Sequence, residues 1–275
     1  MVVDPRTSVT LALSRWQQLH LRHVAHRRVV DRPPGKRVLV LIPHPDDEVL
    51  GLGGTLVKLA GHADIRLVYL TDGRIGAGDT NAEDTMAAVR AAEARAVAKR
   101  LGIGEPLLIG WNEHTFARPL HNEALVARLV EELRRHDPDL VFVPFLWDAH
   151  GDHRYSNHLL AQALRVTRQQ PVVCGYEVWS MAPPGWVVDI TAQLDAKLAL
   201  LDCYRSQLAL FDYRTMASQR AALHAPLAPG ARACEVFWPV RADAYVDLVA
   251  AADLGSPEAQ ETIVLMTAPE TLPPP

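Results

Sequence analysis

Val38-Leu-Val-Leu-Ile-Pro-His-Pro-Asp-Asp-Glu48 is the stretch whose reading decides the fold. Its first half is an apolar run of Val, Leu and Ile without polar alternation, which predicts a strand buried on both faces of a parallel sheet. Its second half places one histidine and three acids where that strand ends. Strands of open parallel sheets present chemistry at their carboxyl ends, where the sheet opens into a crevice. Gly51-Leu-Gly-Gly-Thr55 follows at once. A strand that empties into carboxylates and glycines reads as a site rather than a turn.

On either side, strands and helices alternate. Strands are expected over 37–43, 65–70, 106–109, 140–143, 172–179, 186–190 and 235–240. Helices are expected over 48–61, 82–101, 121–136, 155–168, 192–205, 213–222 and 242–251. The alternation implies βαβ units with right-handed crossovers. The expected fold is α/β: a Rossmann-like, mostly parallel sheet with helices on both faces, in a single domain over 37–255. Residues 1–36 read as an N-terminal helical extension. Its helix at 8–30 mixes Leu11, Trp16, Leu19 and Val24 with Arg15, Arg22, Arg27 and Arg28. That narrow, broken stripe suits a helix packed on the domain or on a second subunit better than one lying on a membrane. His20, His23 and His26 have poor spacing for a metal. Residues 256–275 read as a proline-rich tail.

Composition narrows the function classes. The 275 residues carry a net charge of −4, which argues against broad nucleic-acid binding. Cys174, Cys203 and Cys234 lie far apart, without metal spacing, and suit a reducing compartment. No apolar run has the length of a membrane span, and Met1 to Thr10 lack a signal-peptide core, so a cytoplasmic location is expected. The partner expected is a small molecule, with homo-oligomerisation open.

The chemistry concentrates in two clusters, His44-Pro-Asp-Asp-Glu48 and His150-Gly-Asp-His153. Both follow predicted buried strands, so both fall on one rim of the sheet. A catalytic zinc takes about three His or carboxylate ligands and keeps one position open. His44, one acid and one later histidine could supply them. Asp46 and Asp47, being adjacent, point differently; one can bind metal while the other faces a water as base. The competing reading is that the acids cap the helix starting near residue 48. Capping explains one acid per helix but not two histidine–acid clusters at two strand ends.

Pro43-His-Pro-Asp-Asp-Glu48 with its glycine turn, together with Asp148-Ala-His-Gly-Asp-His153, resembles the PIG-L/LmbE family of zinc-dependent de-N-acetylases. Arg90-Ala-Ala-Glu93, Tyr176-Glu-Val-Trp179 and Lys197 through Tyr204-Arg-Ser-Gln207 support the resemblance, which covers about 37–210. Gly151 stands where the family often has proline, and Leu52 where a small residue is common; both read as packing changes. The resemblance implies that His44, Asp47 and His153 hold Zn²⁺, with Fe²⁺ or another divalent ion possible. It implies Asp46 as general base, His150 as the group that stabilises the oxyanion or protonates the leaving amine, and Asp152 as the partner orienting His150. Glu48 is left a structural role. The implied reaction removes the N-acetyl group from an N-acetylglucosamine-type substrate. Its rivals are an amidase for thiol conjugates or other N-acyl metabolites, and a non-catalytic nucleotide- or sugar-binding module. Gly51-Leu-Gly-Gly54 lacks the spacing of either phosphate-binding fingerprint. Asp72, Arg74, Trp147 and Tyr176 are the candidate substrate contacts, and Arg90 with Glu93 a structural pair.

Overall fold

The computed structural model describes residues 27–77, 82–115 and 123–252. Eight strands form one sheet: β1 (Arg28–Val30), β2 (Arg37–Ile42), β3 (Asp64–Thr71), β4 (Leu107–Trp111), β5 (Leu140–Pro144), β6 (Val172–Tyr176), β7 (Trp186–Asp189) and β8 (Cys234–Arg241). Their order across the sheet is β1-β7-β8-β6-β5-β2-β3-β4, antiparallel only where β8 meets β6 and β7. The α-helices are α1 (Asp47–Leu59), α2 (Glu83–Leu101), α3 (Glu123–His136), α4 (Gly151–Thr167), α5 (Leu194–Leu201), α6 (Arg205–Leu208), α7 (Tyr213–His224) and α8 (Ala242–Ala252).

The alternation of β2 explains its unbroken apolar run. Val38, Val40 and Ile42 pack with α1, α2, α5 and α7 on one face, whereas Leu39 and Leu41 pack with α3, α4 and α8 on the other. Both faces are covered, so after the exposed Arg37 no position of the strand is left for a polar side chain. From β2 the chain runs outward through β3 and β4, then returns to lay β5 on the opposite side of β2, in register Val38↔Leu140 and Val40↔Phe142. The reversal makes the β2/β5 boundary a topological switch point, where a crevice opens beyond the strand ends.

Several of the expected elements differ. The helix expected over 8–30 lies mostly outside the described residues, but Arg28–Val30 is the strand β1, paired in parallel with β7. Two valines beside an exposed sheet edge gain a backbone ladder that helical periodicity cannot reveal. The helix expected over 192–205 ends at Leu201; a turn follows over 202–204, and the one-turn α6 starts only at Arg205.

The glycines of the opening stretch lie inside α1, at a kink marked by the non-helical Leu52. A Cβ on Gly51 would collide with the Tyr176 ring and lie 2.8 Å from the Glu177 carbonyl oxygen. One on Gly54 would lie 2.8 Å from Ile190. These glycines let the helix approach the sheet closely; they form no phosphate cradle. At the kink, the Glu235 carboxylate accepts from Gly54 N and Thr55 N, at 2.9 and 2.7 Å, and Lys197 Nζ donates to Leu50 O and Glu235. Cys174 and Cys234 are buried, and all three cysteines are free. Among the described residues, no helix is long and apolar enough to cross a membrane.

Candidate active site

β2 and β5 are neighbours, so the loops leaving them meet although their histidines are 109 residues apart in sequence. His44 leaves β2, and His153 lies on the first turn of α4. His44 Nδ1, Asp47 Oδ2 and His153 Nε2 form a triangle with edges of 3.2–3.3 Å. Three ligands about 2.0–2.2 Å from a tetrahedral ion lie about 3.4 Å apart, so this triangle fits one face of a zinc-like coordination sphere. His44, His150 and His153 also come within 4.8 Å of one another. That set shares two members with the triangle, whose edges do not exceed 3.3 Å.

The outward nitrogen of each triangle histidine meets a carboxylate. His44 Nε2 lies 3.0 Å from Asp152 Oδ2 and 3.4 Å from Glu113 Oε1. His153 Nδ1 lies 3.1 Å from Asp148 Oδ1, close enough for an ion pair but outside good hydrogen-bond geometry. Carboxylates behind ligating histidines set ring orientation and tautomer. Burial favours neutral His44, but Asp152 and Asp47 outweigh it and hold the ring well above the usual histidine range. Burial likewise opposes charge on His153, and Asp47 with Asp148 raises it to about 9. Asp47 is held far below the usual carboxylate range because His153 and His44 outweigh its burial. Without a metal, Asp47 and the carboxylates behind the rings thus draw protons onto both histidines, at atoms where a bound metal would displace them.

The two aspartates have separate surroundings. Asp47 Oδ2 also accepts from His44 N at 2.9 Å. Asp46 occupies the N-cap position of α1 but makes no capping bond with its side chain, so capping does not account for it. Its φ is 128°, in the region that disfavours a side chain, a strain of about 1–3 kcal/mol that clusters at functional sites. The carboxylate receives Arg90 Nη2 at 3.1 Å. Burial raises it to about 6 against the opposing guanidinium, near the range useful for a base at neutral pH.

Glu48, fully buried, holds this strained turn. It accepts from Asp46 N at 3.2 Å, from Tyr69 OH at 3.0 Å and from Tyr204 OH. Burial lifts it to about 7. This folded value lies above the ordinary 4.5, so the folded protein holds the proton more firmly than the unfolded chain. The resulting stability is complete below about pH 4.5 and is lost as pH rises through about 7. The difference is worth about 3 kcal/mol. Metal-free protein unfolded with urea should therefore be less stable at pH 8 than at pH 5; His44, His153 and Asp46, also raised, share in that drop, and Glu48→Gln should make it smaller by about 2–3 kcal/mol. An equal drop in the variant would reject Glu48 as a contributor.

His150 is the N-cap of α4, and its Nδ1 accepts from Asp152 N at 3.2 Å. This cap starts the helix at Gly151 rather than near 155. Burial and the nearby His44 and His153 lower His150 to about 4. It is thus neutral at pH 7, with its proton on Nε2. Asp152, expected to orient His150, bonds its Nδ1 through the backbone N–H, while the Asp152 carboxylate Oδ2 lies on His44. Asp148, for which no role was expected, is fully buried and accepts from His150 N, Trp179 N and Ser180 N at 2.9–3.0 Å. It joins the loops after β5 and β6.

A cavity of about 140 Å³ opens beside these groups, lined by His44, Asp46, Asp47, Arg90, Glu113, His150, Trp179, Gln207 and Tyr213, with Leu50, Gly73 and Gly76. A larger groove of about 760 Å³ between α3 and α4 contains none of the clustered groups. Arg90 is 2% exposed, and its Nε and Nη1 find no partner among the described residues. It does not pair with Glu93, which receives Ser206 N and Oγ. The candidate substrate contacts fare differently. Tyr176 is fully buried, with its hydroxyl donating to Leu41 O, so it belongs to the core. Trp147 packs against the opposite core cluster, and Asp72 and Arg74 form a loop ion pair at 2.8 Å, with Arg74 also on Asp84. None of the four lines the cavity. Glu113, Gln207 and Tyr213 were not anticipated in the site; Glu113, an acid just past β4, and Gln207, at the end of a stretch that supports the resemblance, left readable signals.

Residues 39–164 match the profile of PIG-L, GlcNAc-PI de-N-acetylase. The chain is 29% identical over 192 residues to a diacetylchitobiose deacetylase of Thermococcus kodakarensis, covering 62% of this chain and 70% of that protein. It is 28% identical over 188 residues to a 1D-myo-inositol 2-acetamido-2-deoxy-alpha-D-glucopyranoside deacetylase of Mycobacteroides abscessus, covering 60% of this chain and 64% of the relative. In fold it resembles an N,N'-diacetylchitobiose deacetylase from Pyrococcus horikoshii, with a TM-score of 0.67, 24% identity and coverage of 84% and 94%. Both histidine motifs fall inside the matched stretch, at the strand ends that build the site, and over that stretch the chain is similar to the PIG-L/LmbE de-N-acetylases.

Proposed function

We propose that this chain hydrolyses the acetamide of an N-acetylglucosamine-type substrate, giving a free amine and acetate. The observation that carries this reading is the compact triangle of His44 Nδ1, Asp47 Oδ2 and His153 Nε2 beside a separate, strained Asp46. Deacetylases of N-acetylated sugars among its relatives support the substrate class. A divalent ion held by His44, Asp47 and His153, with zinc the default, would lower the pKa of a water and polarise the acyl oxygen.

The protein groups divide the remaining work. Asp46 takes a proton from the attacking water as the carbon–oxygen bond forms. The Nε2–H of neutral His150 donates to the oxyanion of the tetrahedral intermediate, in a site largely closed to water. The proton on Asp46 then passes to the leaving nitrogen as the carbon–nitrogen bond breaks. Arg90 holds Asp46 through Nη2, and its Nε and Nη1 are donors suited to sugar oxygens.

Amine release from N-acetylated sugars and from N-acyl thiol conjugates tests the reading. We expect turnover of the sugars, its loss with a chelator, and its return with Zn²⁺. Cleavage of the conjugates alone would replace the sugar deacetylase with the amidase. No turnover of either class, with metal bound, would reject hydrolysis.

A further inference from the structure

We propose that the rim beside the cavity is a subsite for an apolar aglycone. The substrate is then an amphiphilic glycoside, with its N-acetylated sugar in the cavity and an alkyl or aryl group on the adjoining surface. This inference rests on the deacetylase reading above and names the part of the substrate that the reading leaves open.

Trp179, Gln207 and Tyr213 line the cavity, and an aromatic row continues outward from them. The Trp179 and Tyr213 ring centroids are 6.3 Å apart, and those of Tyr213 and Phe211 are 5.1 Å apart. Along this row Trp179 is 44% exposed, Phe211 51% and the adjacent Leu210 62%. Single exposed apolar residues are ordinary, whereas a contiguous set at the mouth of a site marks a binding surface.

Both loops that present the row are fixed by hydrogen bonds. Leu210 N and Phe211 N donate to Gln207 O at 3.0 and 3.1 Å, and Tyr213 N donates to Phe211 O at 2.9 Å. Trp179 N is tied to the buried Asp148. The apolar side chains are thus held outward by their backbones. The flanking charges are already engaged, Asp212 by Thr215 N and Arg214 by Asp202 and Leu198 O. A phosphate or carboxylate aglycone would find neither of these free, while an apolar group needs no partner beyond the row.

Kinetics on the methyl and hexyl glycosides of N-acetylglucosamine and on its disaccharide, with zinc supplied, test the proposal. Partial burial of a hexyl chain should raise kcat/KM at least about tenfold over the methyl glycoside. In Leu210→Ser/Phe211→Ser that ratio should fall towards one. Equal rates in the unsubstituted protein, a ratio that survives the substitutions, or a disaccharide preferred over the hexyl glycoside would overturn it. If no glycoside is turned over, the deacetylase reading fails by itself. Calorimetric binding of hexyl against methyl glucoside to the zinc-loaded protein then decides the subsite, with the same tenfold preference supporting it and equal affinity rejecting it.

Discussion

Asp46→Asn is expected to lower kcat by about 10²–10⁴ while leaving the metal content of the protein unchanged. The magnitude is that of a positioned general base. Asparagine suits the test because it has the shape of aspartate, so the 128° backbone angle need not change. Its amide oxygen can still receive Arg90 Nη2, which now bonds the Asp46 carboxylate at 3.1 Å. What disappears is the ability to take a proton. Burial lifts that carboxylate to about 6, and a bound divalent cation would pull it down again. The acid limb of the rate should therefore fall below pH 6 and vanish in the variant's residual activity. Loss of metal together with rate would show that Asp46 is itself a ligand.

The second large effect concerns the ion. His153→Ala and Asp47→Ala should each abolish stoichiometric metal binding and, with it, turnover. His150→Ala should keep the metal and lose about 10²–10³ in kcat, the usual effect of removing one donor to an oxyanion. This contrast chooses between the two donor sets, because His150 belongs only to the wider one. Asp148→Asn should weaken metal affinity about 10–100-fold through His153, which it meets at 3.1 Å. Metal content by atomic emission after dialysis reads all four variants. Retention of metal by Asp47→Ala and its loss from His150→Ala would invert the assignment.

Much of this was legible from local pattern. A strand buried on both faces cannot alternate, and 38–42 does not; a helix needs glycine only for close approach, and α1 has three within four residues. Other features depended on partners far away in sequence. The resemblance leaves Glu48 a structural role but not its partners, Tyr69 and Tyr204, which reach it from β3 and from the turn after α5. Tyr176 looked like a sugar platform because a strand end does not say on which side a ring falls; it falls on Gly51. Asp152 was paired with the nearer histidine, whereas folding placed its carboxylate on His44.

The sequence by itself determined the chemistry available: two histidine–acid clusters, each following an apolar strand, with residue types that suit a metal and a base. Periodicity and strand-end position suffice for that, because both are local. Tertiary structure decided which of these groups meet. The return of the chain to lay β5 beside β2 brings His153 onto Asp47, and the positive φ of Asp46 turns adjacent aspartates apart. Distances of 3 Å between groups 109 residues apart follow from strand pairing across a switch point, which no local pattern encodes.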